Sequence, residues 1–361
     1  MTAMTAISAI TAISATGAGW WPRRAEAQGA HRAQRKGLNG NELFTLEPSV
    51  LAETVEAYRA LGVRWVRFDF NWSAIARAGR EAFDVARFEK VVQALQAARI
   101  DVLGLIAYTP AWANAGQSKF HPPTSAADFA QFAGRLARHF SAGGVHAWEI
   151  WNEPNMGQFW APRADAAAYV ALLKRAYVAI HEADAKAIVV SGGLAQPYPS
   201  ANDIDALQFA RALCAASARE RCFDALGNHP YDSPRLPSER AAHNWQKMIG
   251  TGPASLRGML TEHGLRETPI WITEFGAATS GVDSYGTVVS EERQAHIVED
   301  AFRLVSGYPW SGPLFWYNFK DFCPPGPTQS SECFYGLLRL DGTYKPAARK
   351  YAAFAREEMT R

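Results

Sequence analysis

Trp148-Glu149-Ile150-Trp151-Asn152-Glu153-Pro154-Asn155 starts as an apolar run and ends in a cluster of polar and ionisable residues. A strand buried on both faces reads as such a run, and polar residues gathered at its end mark where side chains leave a packed interior. The run 146–152 has counterparts at 37–39, 63–69, 101–107, 187–191, 224–229, 269–274 and 313–318, which makes eight, with 37–39 the weakest. Segments of helical period separate them. Phe88, Val91, Val92 and Leu95 recur at i, i+3, i+4 and i+7, and Phe129, Phe132, Leu136 and Phe140 form a similar stripe. The helix before Val63 is predicted to stop at Gly62, the helix after Phe83 to be capped by Asp84, and a last helix to span 346–358. Eight buried strands alternating with helices predict an α/β fold of one domain, a (β/α)8 TIM barrel over residues 37–361.

Composition agrees with a large core. Of the 361 residues, 48% are hydrophobic and 20% charged, which rules out global disorder. The net charge of +2 and the absence of a long basic run, apart from the short stretch 32–36, argue against nucleic acid as a partner. Aromatics are abundant, with 12 Trp, 12 Tyr and 19 Phe, and flat rings are what proteins lay against the C–H faces of sugars, although most must serve the core. Residues 1–18 are small, apolar or hydroxylated and carry no charge, and Ala25-Glu26-Ala27 offers a small-x-small cleavage pattern before Gln28. Residues 1–36 therefore read as a signal peptide and disordered N-terminal segment, which implies a secreted or periplasmic protein. The lack of a basic n-region leaves a plain disordered tail as the alternative. No later stretch reaches the ~18 apolar residues of a membrane span.

The four cysteines form two close pairs, Cys214 with Cys222 and Cys323 with Cys333. In an exported chain two local disulfides are favoured by proximity, with four separate buried thiols as the alternative. Neither pair has the Cys-x2-4-Cys spacing of a zinc site.

In a barrel the C-terminal strand ends carry chemistry. Those ends read Val66-Arg67-Phe68-Asp69, Asn152-Glu153-Pro154-Asn155, Gly227-Asn228-His229-Pro230-Tyr231, Trp271-Ile272-Thr273-Glu274-Phe275-Gly276 and Leu314-Phe315-Trp316-Tyr317. Glu153 and Glu274 lie at the tops of strands four and seven. Taken singly, the first could be a loop cap and the second an ion-pair partner of Arg67. As a pair facing one cleft they can cleave a glycosidic bond, one protonating the leaving oxygen while the other attacks the anomeric carbon, provided they stand ~5–5.5 Å apart; a gap of ~6.5–9.5 Å would admit water and invert the centre.

The segments Glu149-Ile150-Trp151-Asn152-Glu153-Pro154-Asn155 and Trp271-Ile272-Thr273-Glu274-Phe275-Gly276 resemble the acid/base and nucleophile strands of clan A glycoside hydrolases, most closely family 39 and then family 5. The likeness extends in motif order from about Gly37 to Phe354 and implies a retaining mechanism. Glu153 then resembles the general acid/base and Glu274 the nucleophile. The resemblance makes Asn152 the partner of the sugar 2-hydroxyl, Arg67 the cation beneath the nucleophile, and His229 and Tyr231 the strand-six pair, with the tyrosine orienting the nucleophile. It also makes Trp316 the floor of the −1 subsite. Trp112, Phe159, Trp160 and Tyr198 lie in loops where they could stack on further sugar units or cover the core edge, and His121 could meet a hydroxyl. Asn71, Trp72, Lys320 and Asp321 are weaker candidates of the same kind.

No Gly-x4-Gly-Lys-Ser/Thr, Gly-x-Ser-x-Gly or His-Glu-x-x-His motif occurs. The expectation is a retaining glycoside hydrolase of a poly- or oligosaccharide, endo-acting because the chain ends about where the barrel does, monomeric, and requiring no metal or cofactor. The alternatives are an exo-acting β-xylosidase type, a transglycosylase and a non-catalytic sugar-binding barrel.

Overall fold

The computed structural model describes residues 35–357, except 198–199, 242, 251, 284–286 and 327. Eight parallel strands close in chain order: β1 (Lys36–Asn39), β2 (Trp65–Asn71), β3 (Asp101–Ala107), β4 (Ala147–Asn152), β5 (Ile188–Ala195), β6 (Leu226–His229), β7 (Ile270–Phe275) and β8 (Ser311–Trp316). Around them lie α1 (Pro48–Ala60), α2 (Ala86–Ala97), α3 (Ala126–Ser141), α4 (Ala166–Ala183) and α5 (Ala206–Arg219). Two short helices, α6 (His243–Ile249) and α7 (Leu256–Glu262), share the sixth crossover, followed by α8 (Glu291–Gly307) and α9 (Pro346–Glu357). The chain is a single-domain (β/α)8 barrel. No helix among the described residues is long and apolar enough to cross a membrane.

The apolar stripes do what their spacing predicts: Phe88, Val91, Val92 and Leu95 of α2, and Phe129, Phe132, Leu136 and Phe140 of α3, are all buried. Gly62 follows α1 at φ 74°, a left-handed value that its missing Cβ permits. The expected cap at Asp84 is not made. Val85 takes the N-cap position of α2, with no side-chain hydrogen bond.

The barrel floor is a separate buried layer of Leu103, Ala147, Val190, Ala225, Trp271 and Phe315. Trp271 is large for such a layer, and Gly312 of the neighbouring strand makes room for it: a Cβ there would lie 2.3 Å from the indole. The seam closes where Lys36 pairs with Leu314 and Leu38 with Trp316. Lys36 is wholly buried; its ammonium donates to the carbonyls of Leu61 and Tyr351 at 2.8 and 2.5 Å and lies 4.3 Å from the centre of the Tyr351 ring.

Of the two expected disulfides, Cys323–Cys333 is present and tethers the segment after β8. Cys214 and Cys222 are instead free and buried, and burial pushes their thiols up to about 12 and about 11. Of residues 1–36, read as a signal peptide and disordered segment, 1–34 lie outside the described residues, whereas Lys36 already belongs to β1 and is buried.

Candidate active site

Arg67, in the middle of β2, is 1% exposed and acts as the hub of the barrel mouth. Its Nε donates to Glu149 Oε2 at 2.5 Å. Its Nη1 donates to Asn39 Oδ1 at 2.9 Å and Glu274 Oε1 at 2.6 Å, and its Nη2 to Asn152 Oδ1 at 2.9 Å. One planar guanidinium thus joins side chains from β1, β4 and β7 to β2, a geometry that a lysine point charge could not reproduce. Burial opposes the positive charge, but Glu149 and Glu274 more than compensate and raise the arginine's pKa further.

Glu274 receives a second hydrogen bond from Tyr231 Oη to Oε2 at 3.1 Å, and His229 Nδ1 stands 3.8 Å from the same oxygen. Burial works against its ionisation, yet the charges of His229 and Arg67 and the bonds from Tyr231 and Arg67 hold it below its ordinary value of 4.5. The depressed value adds stability that is fully present above about pH 4.5 and is lost as the pH falls through the folded-state pKa. We expect the Glu274 carboxyl carbon, followed by carbon-13 NMR in acid titration, to move with a midpoint below 4.5; a midpoint above it would contradict the electrostatics described.

Glu153, just past β4, lies 2.8 Å through Oε1 from His229 Nδ1. An oxygen of Glu153, a ring nitrogen of His229 and an oxygen of Glu274 all lie within 4.8 Å of one another. Burial lowers the imidazole's proton affinity, and Glu274 and Glu153 together overcome this and raise it. Among the described residues this trio is also the one gathering of three such side chains close enough to share a cation. The Arg67 guanidinium already supplies positive charge to one of its carboxylates. The backbone at the end of β4 is strained, with Trp151 at φ 70° and Glu153 at φ 42° on either side of Asn152. Trp151 Nε1 donates to Phe159 O at 2.7 Å, and the Asn155 amide donates to the carbonyls of Ala195 and Ile204, which anchor the turn.

Arg67, Asn152, Glu153, His229, Tyr231 and Glu274 are therefore brought together. Other candidates are not. Trp160 is 2% exposed, packed against Trp151 and Tyr169, and Trp316 is fully buried, with its Nε1 bonded to Tyr335 O and its ring edge-on to Phe275. Neither offers a face for a sugar, because both complete the hydrophobic core. Trp112 donates to Ala76 O at 2.8 Å and lines a cavity of about 110 Å³ with Trp72, Arg80 and Asp128 that includes none of Glu153, His229 and Glu274. His121 bonds Ser118 within its own loop at 2.9 Å. Asn71 caps the one-turn helix Trp72–Ile75, whose Trp72 is buried, and Asp321 is buried against Lys345. Phe159 is half-buried, and Tyr198 lies outside the described residues.

Four residues are additional members of the mouth. Tyr317, rather than Trp316, is the half-buried aromatic of its turn, and Tyr335 lies 5.5 Å from it; burial and the charge of Glu274 contribute to raising both phenols. Glu332 keeps an exposed surface, but partial desolvation and the charges of Glu274 and Glu153 raise it. Asp69 exchanges hydrogen bonds with Asn41 and is pushed up to about 6 by burial, against the pull of Arg67. Tyr335 and Glu332 sit in a segment with no run or period to flag them, whereas Tyr317 and Asp69 close strand ends already visible in the sequence.

A model of the cellulase family, glycosyl hydrolase family 5, matches residues 26–302. No curated protein sequence matches the chain. Among solved structures, a family 39 glycoside hydrolase from Bacteroides cellulosilyticus WH2 superposes with a TM-score of 0.65 at 20% identity over 90% of this chain and 64% of that one. A monomeric β-xylosidase from Caulobacter crescentus CB15 gives 0.65 at 20% identity over 88% and 66%. Xylanase 10B from Thermotoga petrophila RKU-1 gives 0.61 at 16% identity over 94% and 100%. At these identities the likeness is one of fold, and the chain spans just under two thirds of the length of the first two.

Proposed function

Because the chain belongs to the cellulase family, glycosyl hydrolase family 5, and is thus a glycosidase acting on carbohydrate, we propose that it hydrolyses its substrate by double displacement with retention at C1. Glu274 is the nucleophile and Glu153 the acid/base. The observation that carries this reading is the approach of their oxygens to within 4.8 Å, close to the ~5–5.5 Å of retaining pairs and short of the ~6.5–9.5 Å of inverting ones.

In the first step an ionised Glu274 oxygen bonds to C1 as the glycosidic C–O bond breaks, and Glu153 gives its proton to the departing oxygen. In the second, Glu153 takes a proton from water, whose oxygen bonds to C1 and releases Glu274. Arg67 and Tyr231 keep the nucleophile charged and aimed. Arg67 can only donate, so Asn152 must turn Oδ1 toward it, which leaves the amide Nδ2 for the sugar 2-hydroxyl, a contact that strengthens as the oxocarbenium-like transition state forms.

We infer endo action on a polysaccharide; the xylanase that this chain matches over that protein's whole length supports it, whereas the β-xylosidase match favours exo action. Export is supported by the Cys323–Cys333 bridge, which persists in oxidising compartments. A panel of polysaccharides and aryl glycosides followed by proton NMR tests the reading. The first product carries the anomeric configuration of the substrate, and early digests contain oligosaccharides of mixed length. An inverted first product overturns the mechanism; a digest that releases only monosaccharide overturns endo action.

A further inference from the structure

Glu149 lies beneath the carboxylate pair and is fully buried. Its Oε2 accepts from Arg67 Nε, and its Oε1 accepts from the backbone N–H of Gly193 at 2.8 Å. Both partners are obligate donors, so Glu149 meets them as an acceptor on both oxygens. The Thr273 hydroxyl is 2.8 Å from the same Oε1 and gives it the one proton it has. The other contact of Thr273 Oγ1 is His229 Nε2, at 3.0 Å. With its proton committed, the hydroxyl can only accept there, and only an N–H satisfies it. A bare Nε2 would set two lone pairs against each other in a space packed so closely that a Cβ on Gly193 would lie 2.1 Å from that nitrogen.

We propose that Thr273 and Glu149 are positioning residues that lock a proton on His229 Nε2, so that Nδ1 is the only ring position to exchange one and Glu153 and His229 share a single mobile proton. The assignment of Glu153 as acid/base is the premise that gives this pair its use. The Nε2 proton stays in place whether the ring is neutral or cationic. Nδ1, 2.8 Å from Glu153 Oε1, then either accepts from the carboxyl or donates to the carboxylate. The relay keeps the exchangeable site aimed at the residue that must deliver and recover a proton in each catalytic cycle. The groups that face the ring are Glu153 from the end of β4, Glu274 from β7, Arg67 from β2 and Tyr231 from the end of its own strand, with Glu149 reached through the Thr273 hydroxyl, so the imidazole exchanges its proton within the field of these groups.

The test is long-range proton–nitrogen NMR on the full chain labelled with nitrogen-15 histidine, with the His229 signals identified by their loss in His229→Asn. In the wild type Nε2 keeps a protonated shift over roughly pH 5–9 while Nδ1 alone moves. Thr273→Val populates the Nδ1–H tautomer, shifts the alkaline limb of the kcat/KM profile and lowers kcat/KM about tenfold, and Thr273→Ser, which keeps the hydroxyl, restores all three. An unprotonated Nε2 in the wild type overturns the proposal even if the valine variant fails to fold; so does a valine variant with an unchanged tautomer and pH limb. The tautomer is read without turnover. A Glu153→Ala enzyme of near-normal activity would therefore refute the acid/base assignment while leaving the proton lock standing.

Discussion

Glu274→Ala lowers kcat on aryl glycosides by on the order of 10⁴-fold, about 5 kcal/mol of barrier, with the thermal melt close to that of the parent. On the proposed mechanism the loss is large because the carboxylate forms the covalent bond to C1 and no other described side chain stands where it does. The fold survives because Arg67 keeps its bonds to Glu149, Asn39 and Asn152 when the glutamate is gone. The vacated space lies beside the Arg67 guanidinium, so azide supplied in solution enters it and attacks C1 from the face that the Glu274 carboxylate would use. The product is a glycosyl azide of configuration opposite to the substrate. Steady-state kinetics and NMR of the azide adduct check both results. A loss of only a fewfold, or an adduct with retained configuration, removes Glu274 from its role.

Arg67→Met destabilises the barrel by about 3–5 kcal/mol and lowers the melting temperature by on the order of 5–10 °C at pH 7. The substitution keeps much of the side-chain volume but strips the counter-charge from Glu149, which has no exposed surface, and from Glu274. A buried carboxylate left alone is worse than no carboxylate. The double variant Arg67→Met/Glu149→Gln therefore recovers part of the loss. Chemical denaturation of the parent, the single and the double variant measures this order, and a single variant that melts with the parent would show that Arg67 is not the hub described.

The strands with the strongest apolar runs were legible in the sequence, as were the helical stripes, because burial on a barrel dictates both patterns. Glu153 and Glu274 stood out since an ionisable group at the end of an apolar run has no packing explanation. Other features left no such trace. β5 continues to Ala195 past the point where its apolar run ends, because Gly192 and Gly193 lie where side chains cannot fit: a Cβ on Gly192 would come 2.6 Å from Trp151 O. A pair of glycines in sequence reads as a stop; here it is a clearance for the site. Glu149 appeared within the motif, but its partners Thr273, Gly193 and Arg67 come from three other strands, and no local spacing encodes that convergence. Trp160 and Trp316, whose rings are buried, show the opposite limit. An aromatic residue near a cleft looks the same in sequence whether its ring faces sugar or core.

The ammonium of Lys36 has a consequence for how the chain is made. It is satisfied in part by a carbonyl 315 positions further along, at Tyr351. While the polypeptide is still emerging from the ribosome, the first strand carries a charge of whose berth only the Leu61 carbonyl has been made, and the cylinder stays open along that edge until β8 follows. A stalled or prematurely terminated translation product that stops before β8 would leave this strand without its partner on one side, and would be a ready target for quality-control proteases.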